Sequence, residues 1–203
     1  MLIRAPAIVC AVRAHGEHGA IVRLLTADHG MIAAYVAGAR GRELRPVLMP
    51  GNAVEAEVRA RGHSQLPSAR VELVASRAPW LGEPLASAGI DWATALTAAT
   101  LPEGHPYPAL HATLSALLDA ICHAPSARGW ARVLAGYEVL LLRETGYGAA
   151  AAVPPPDEDW PVLLARLDRQ GLAIGNRLLA ERRGDVMATR AILLERLKRM
   201  TGD

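Results

Sequence analysis

The densest chemistry in the sequence lies in "GARGRELRPVLMPG", residues 38–51, where Arg40, Arg42 and Arg45 fall inside six positions. A guanidinium is a planar, permanently charged fork whose N–H groups match the oxygens of a phosphate. Gly38 and Gly41 alternate with the first two arginines, and glycine lets a backbone come close to a ligand. Two readings fit the cluster: a solvated loop, or a grip on a nucleic-acid backbone. Arg13, Arg23, Arg59 and Arg61 are secondary candidates for that grip. Their direction depends on strand register, because a slip of one residue turns a side chain to the other face.

Other chemistry is sparse. The chain has no phosphate-binding loop, no GxGxxG, no HExxH and no GxSxG, and no nucleophile stands beside a base. No catalytic residue and no cofactor are therefore expected, and the chain does not read as an enzyme. "HGEHG" (15–19) sets His15 and His18 three apart with Glu17 between them. Histidines so spaced on a turn need not converge, and no third or fourth ligand is evident, so a solvated turn is preferred to a metal site. Glu17 reads as a carboxylate accepting from nearby amides or pairing with an arginine. Asp157, Glu158 and Asp159 could suggest a divalent-metal site, but they precede an apolar helical run, where an N-terminal cap complementing the helix dipole is the preferred reading. Cys10 and Cys122 lie far apart without a CxxC, and both read as buried small hydrophobes.

The elements that carry these residues change character along the chain. Before residue 80, short β-branched or alternating segments recur: 7–14, 20–27, 31–37, 53–61 and 69–75. In "AVEAEVRAR" the alternation turns Val54, Ala56 and Val58 to one face and Glu55, Glu57 and Arg59 to the other. In "ARVELVA" it turns Val71, Leu73 and Ala75 together. Five short strands in this span predict a small closed barrel, since closure removes exposed edges. From Pro84 the period becomes helical, over 84–101, 108–124 and 129–146. An irregular connection follows at 149–159, then shorter helices at 159–169, 175–183 and 185–200, with Asp185 as a cap for the last. Strands first and helices after predict an α+β chain: residues 1–79 as a five-stranded barrel, 80–203 as an all-helical domain.

Charge is divided in the same way. Residues 1–80 hold ten arginines against six carboxylates, whereas the remainder holds twelve basic and fourteen acidic residues. The basic excess belongs to the barrel, although the chain as a whole carries only +2. Aromatic rings are scarce there: Tyr35, with Trp80 at the edge. Binding to a strand would rest on charge rather than on base stacking, with weak sequence preference and strong salt dependence. No apolar run approaches the roughly 20 residues of a membrane span, and no secretory leader is read, so the expected setting is cytoplasmic and without membrane contact.

"AIVCAVRAHGEHGAIVRLLTADHGMIAAYVAGAR" resembles the opening of the bacterial DNA repair protein RecO family. Gly16 and Glu17, Thr26, Gly30, and Gly38, Ala39 and Arg40 stand where that family's pattern places them, and "LMPG" supplies the proline after the basic loop. "LPEGHPYPALHATLSALLDAI" and "GYEVLLLRETGYG" are similar to its helical part, as is Arg190 before "AILLERL". The resemblance implies an N-terminal OB-fold, a helical domain, and a recombination mediator that associates with the nucleoid. Such a mediator binds single- and double-stranded DNA, anneals complementary strands and works with RecR. It contacts the acidic C-terminal tail of single-stranded-DNA-binding protein and indirectly helps load RecA. Many members carry a four-cysteine zinc module after the "GY" motif. "GYGAAAAVPPPDEDWP" has no cysteine, so no metal is expected. Ala37 stands where a lysine is usual, a change that implies weaker DNA binding. The alternative reading is a protein-interaction adaptor whose helical domain docks an acidic tail on Arg132 and Arg143, although a surface ion pair is the preferred explanation of those two residues.

Overall fold

The strands follow from alternation. Val54, Ala56 and Val58 are at most 3% exposed while Glu55 and Arg59 face solvent, and the strand they form is β4 (Ala53–Arg59). The others are β1 (Leu2–His15), β2 (Gly19–Thr26), β3 (Gly30–Val36) and β5 (Ser68–Ala75). In this computed structural model, residues 2–60, 66–148, 152–180 and 186–200 are described. The strand order is β1-β2-β3-β5-β4, closed into a barrel, the arrangement of an OB-fold.

β1 is longer than its apolar run suggests because it serves two neighbours. Leu2 to Ile8 pair with β4, and Ala7 to His15 pair with β2. Between Val9 and Ala11 the register shifts, leaving Cys10 as a bulge. A bulge of this kind bends a strand and lets the sheet curl on itself. Pro6 sits where β1 has only β4 beside it, so its missing N–H is tolerated. Cys10 is buried, and burial pushes its thiol up to about 12. It is a core residue, as read; Cys122 is only half-buried.

Small aliphatic side chains, among them Val9, Val22, Leu24, Ala34, Val36 and Val71, fill the barrel. The end of β5 departs from its pattern. Leu73 is 43% exposed and Ala75 is exposed too, where alternation placed both inward. The register of β4 and β5 shifts between Ala53 and Val54, opposite these residues.

The "Thr…Gly" pair has a direct physical reason. Thr26 Oγ1 donates to the Gly30 carbonyl at 3.0 Å and accepts from the His29 N–H at 3.1 Å, closing the β2–β3 turn. Gly30 takes φ +67, and a methyl group there would run into the His105 carbonyl. Two compact units result: Met1–Gly82 with Leu101–His111, and Glu83–Thr100 with Ala112–Asp203. The first therefore regains a stretch of chain beyond the boundary at residue 79.

The helices are α1 (Pro84–Thr100), α2 (Pro108–His123), α3 (Ala127–Glu144), α4 (Trp160–Ala173) and α5 (Val186–Arg199). Where a helix was expected at 175–183, the described residues form a π-helical turn, Ile174–Leu178, continuing α4; residues 181–183 and the Asp185 cap lie outside the described residues. Leu110, Leu114, Leu117 and Leu118 of α2 carry no exposed surface, nor does Tyr137 of α3. A buried ionic knot ties four of the helices. Arg190 of α5 donates to both carboxylate oxygens of Glu138 on α3, from Nε at 3.1 Å and Nη2 at 2.9 Å. Nη2 also donates to the Leu167 carbonyl of α4 at 2.6 Å, and Trp92 Nε1 of α1 donates to Glu138 at 2.8 Å.

Candidate nucleic-acid interface

The arginine loop occupies residues 37–52, between β3 and β4. It is an ordered coil of turns. Gly38 adopts φ +68, and its carbonyl accepts from the Gly41 N–H at 2.8 Å. Arg45 N–H donates to the Gly41 carbonyl at 3.0 Å, and Leu48 N–H to the Leu44 carbonyl at 2.9 Å. The glycines serve turn geometry, and Gly38 takes a left-handed φ that favours glycine. Ala39 and Leu48 are each 5% exposed, and Leu44 and Val47 pack against the barrel core. Because these four anchor inward, Arg40, Arg42 and Arg45 are left facing solvent.

Asn52 holds the loop from behind. It is fully buried; its Nδ2 donates to the carbonyls of Pro46 at 2.9 Å and Val47 at 3.0 Å. Its Oδ1 accepts from the Arg77 N–H at 2.8 Å, and Arg77 Nη1 donates to the Gly51 carbonyl at 2.9 Å. Neither residue has a signal in the sequence, since a buried asparagine after a turn glycine reads as another turn residue.

Arg40 fastens the loop to the β1–β2 turn. Its backbone N–H donates to the His18 carbonyl at 3.3 Å and its Nη1 to the Glu17 carbonyl at 3.0 Å. Glu17 therefore contributes its main-chain oxygen to an arginine, where the sequence suggested its carboxylate. That carboxylate stands 3.8 Å from His18 Nε2, and both side chains are exposed. Opposed residues of neighbouring strands share a face, so the pairs Arg13–Ile21 and Ile21–Tyr35 put Arg13 and Tyr35 on one outward face. The His15 ring meets the Tyr35 ring edge-on, with centroids 6.1 Å apart and planes at 78°. Gly19 lies under the Tyr35 ring, where any side chain would collide with it. This histidine–tyrosine pair was not legible beforehand, because "HGEHG" draws attention to metal rather than to ring packing. Among the described residues no three His, Cys, Asp or Glu side chains are grouped to hold a metal ion.

The secondary arginines differ in how free they are. Arg13 is exposed, and among the described residues neither it nor Arg40, Arg42 or Arg45 has a carboxylate partner. Arg23 is engaged: Nη1 donates to Glu103 at 3.1 Å and Nη2 to the Leu101 carbonyl at 3.0 Å. Arg59 shares Glu57 with Arg4, and hydrogen bonds from Arg59 first and Arg4 second hold the Glu57 carboxyl below its usual range. Arg61 lies outside the described residues. A groove of about 610 Å³ opens beside Tyr35, between Leu44, Arg59 and Arg70.

The helical unit has its own basic feature. Arg132 and Arg143 line an apolar groove of about 420 Å³ with Val133, Leu140, Val153 and Pro154. The strap forming one wall, residues 152–159, is pinned by arginines. Arg132 Nη2 donates to the Glu158 carbonyl at 3.0 Å; Arg166 donates to the Ala152 carbonyl at 2.9 Å and grips the Glu158 carboxylate at 2.5–3.2 Å. The Arg166 hydrogen bond holds the Glu158 carboxyl below its ordinary value. The acidic run was expected to act as a helix cap. Asp159 does hold the N-cap position of α4, yet makes no side-chain cap bond, and Glu158 is spent on Arg166 instead. Among the described residues, no helix is long and apolar enough to cross a membrane.

Two family models match the chain: "Recombination protein O N terminal" over residues 1–77 and "Recombination protein O C terminal" over residues 81–151. The DNA repair protein RecO of Phenylobacterium zucineum is 45% identical over 143 residues, covering 70% of this chain and 58% of that protein. Its counterpart in Rhodospirillum centenum is 42% identical over 143 residues, covering 70% and 56%. That of Jannaschia sp. is 40% identical over 146 residues, covering 71% and 58%. The match spans a little over half the length of these relatives.

Proposed function

This chain belongs to the family of the DNA repair protein RecO, and from that premise we propose that its barrel grips the phosphate backbone of single- and double-stranded DNA during repair. One observation carries the reading. Arg13 projects from β1, and Arg40, Arg42 and Arg45 from the β3–β4 loop that Arg40 fastens to the β1–β2 turn, with no carboxylate neutralising them among the described residues. Four such groups on a buttressed loop and strand neutralise a polyanion without reading its sequence. Annealing follows from the same physics. Two strands approach once their charge is screened, and no covalent step is needed. Tyr35, packed edge-on by His15, offers the one barrel ring on which a base can rest. Arg23 and Arg59 contribute less, since each would first have to leave a glutamate. Cooperation with RecR, and through it the loading of RecA, belongs to the same proposal.

A titration of fluorescent single-stranded DNA across a salt series tests this. Each phosphate contact contributes a slope of about 0.7 in log affinity against log salt for a single strand. The Arg40/Arg42/Arg45 triple alanine variant should lower the slope by roughly 2 and remain folded. An unchanged slope and affinity would refute the assignment.

The second reading, docking of the acidic tail of single-stranded-DNA-binding protein, is favoured by the groove between Arg132 and Arg143. An apolar floor with a cation at either side fits a peptide that ends in acidic and hydrophobic residues. Arg143Ala should weaken capture of such a peptide while leaving the DNA salt slope alone.

A further inference from the structure

A cavity of about 390 Å³ in the helical unit is assigned to nothing so far. Tyr147, Arg166, Arg169, Gln170 and Arg177 line it with three apolar side chains, and among the described residues no carboxylate does. All but Tyr147 of these five lie beyond residue 151, outside the stretch that the family models match. Its size suits one small ligand.

The lining is specific in its chemistry. Arg166 is already neutralised by Glu158. Among the described residues neither Arg169 nor Arg177 forms an ion pair within 4.0 Å, although Arg169 is near enough to Glu158 to help hold its carboxyl down; both guanidiniums keep N–H groups for an anion. Arg177 is held in place by donating to the Tyr147 carbonyl at 3.2 Å. It sits on the π-helical turn Ile174–Leu178, where the Leu179 N–H reaches the Ile174 carbonyl at 3.1 Å. π-turns are strained insertions that recur at functional sites, and this one carries the cation to the cavity. The Tyr147 side chain is 46% exposed at the rim. Gln170 is 6% exposed. Its Nε2 donates to the Ala135 carbonyl at 3.2 Å, which fixes the amide's orientation and leaves Oε1 buried without a donor.

A pair of guanidiniums beside a half-exposed tyrosine ring together describe a nucleotide site. Phosphate suits the first and a base the second. We propose that this cavity binds one nucleoside phosphate, either free or as a unit of a single strand, separately from the barrel.

The experiment is calorimetric titration of the full chain in low salt with dAMP, inorganic phosphate, a 5′-phosphorylated oligonucleotide and an acidic peptide. Saturable binding of one dAMP per chain is expected. Arg169Ala/Arg177Ala should weaken it at least about tenfold, Tyr147Ala should weaken it, and Tyr147Phe should not. The Arg40/Arg42/Arg45 triple alanine variant should bind dAMP as the parent does, which separates this site from the proposed barrel interface. If the oligonucleotide competes with dAMP in that variant, the natural occupant is a strand; if it does not, the occupant is a free nucleotide. Equal affinity for phosphate and dAMP, preference for the peptide, or indifference to Arg169Ala/Arg177Ala would overturn the proposal. A matched thermal melt confirms that each variant is folded.

Discussion

Replacing Arg190 with methionine tests the ionic knot in the helical unit. Glu138 has no exposed surface, and its carboxylate is met by two arginine donors and one indole N–H. Removing the cation leaves a buried carboxylate held only by Trp92, at a cost of about 3–5 kcal/mol. The unit has about 110 residues, which at about 2.1 cal/mol/K per residue gives a melting entropy near 0.23 kcal/mol/K. Arg190Met should therefore lower the Tm of this unit by roughly 13–22 °C. The double variant Glu138Leu/Arg190Met removes both charges, leaving the indole N–H without its acceptor and the Leu167 carbonyl without its guanidinium donor, at a cost of about 1–3 kcal/mol. Tryptophan fluorescence is the assay, because Trp92, Trp130 and Trp160 are all buried in this unit. The reasoning fails if Arg190Met lies within about 1 kcal/mol of the parent, or if the double variant is less stable than either single one.

Four further outcomes are expected. Gly171Ala should destabilise the helical unit by about 1–3 kcal/mol in urea, although alanine favours a helix, because the added methyl would strike the Arg190 guanidinium. Asn52Ala should cost about 2–3 kcal/mol and weaken single-strand binding with no change of charge, since the Arg42 and Arg45 loop loses its rear anchor; affinity equal to the parent's would show that the loop needs no such support. The Glu158 carboxyl is held below its ordinary value, so its ion pair stabilises fully above that value and is lost as pH falls through the lowered one. Acid melts of Glu158Gln should accordingly show a shallower loss of stability than the parent over that window. The Cys10 thiol, pushed up to about 12 by burial, should resist disulfide reagents at pH 8 until the barrel unfolds.

Much of this arrangement could be read from residue order because the signals were local. Alternation in "AVEAEVRAR" gave β4 its buried face, and three- and four-residue steps of leucine gave α2 its own. What escaped depends on residues far apart in the chain. Glu138 and Arg190 are 52 positions apart, and a glutamate inside "GYEVLLL" gives no sign that its partner lies in the last helix. The length of β1 was underestimated because Leu2 to Pro6 pair with a strand some fifty residues later. For the proposed interface, arginine type and spacing single out Arg40, Arg42 and Arg45, which the fold leaves exposed. Whether Arg23 was free could not be read, because Glu103 approaches it from 80 positions away. The basic cavity went unnoticed because Arg166, Arg169 and Arg177 look like the wet side of an amphipathic helix until the π-turn rotates the last of them.

The barrel's closure is uneven. β1 shares long antiparallel ladders with β2 and β4, but among the described residues β3 meets β5 through one parallel bridge, Tyr35–Ser68, beside the Tyr35 N–H bonded to the Pro67 carbonyl at 2.7 Å. A cylinder laced tightly on one side and by one stitch on the other yields at the stitch first. Tyr35, the ring proposed to meet a base, stands on that stitch. The circumference of the barrel can thus widen where a strand would lie while the opposite wall keeps its registry.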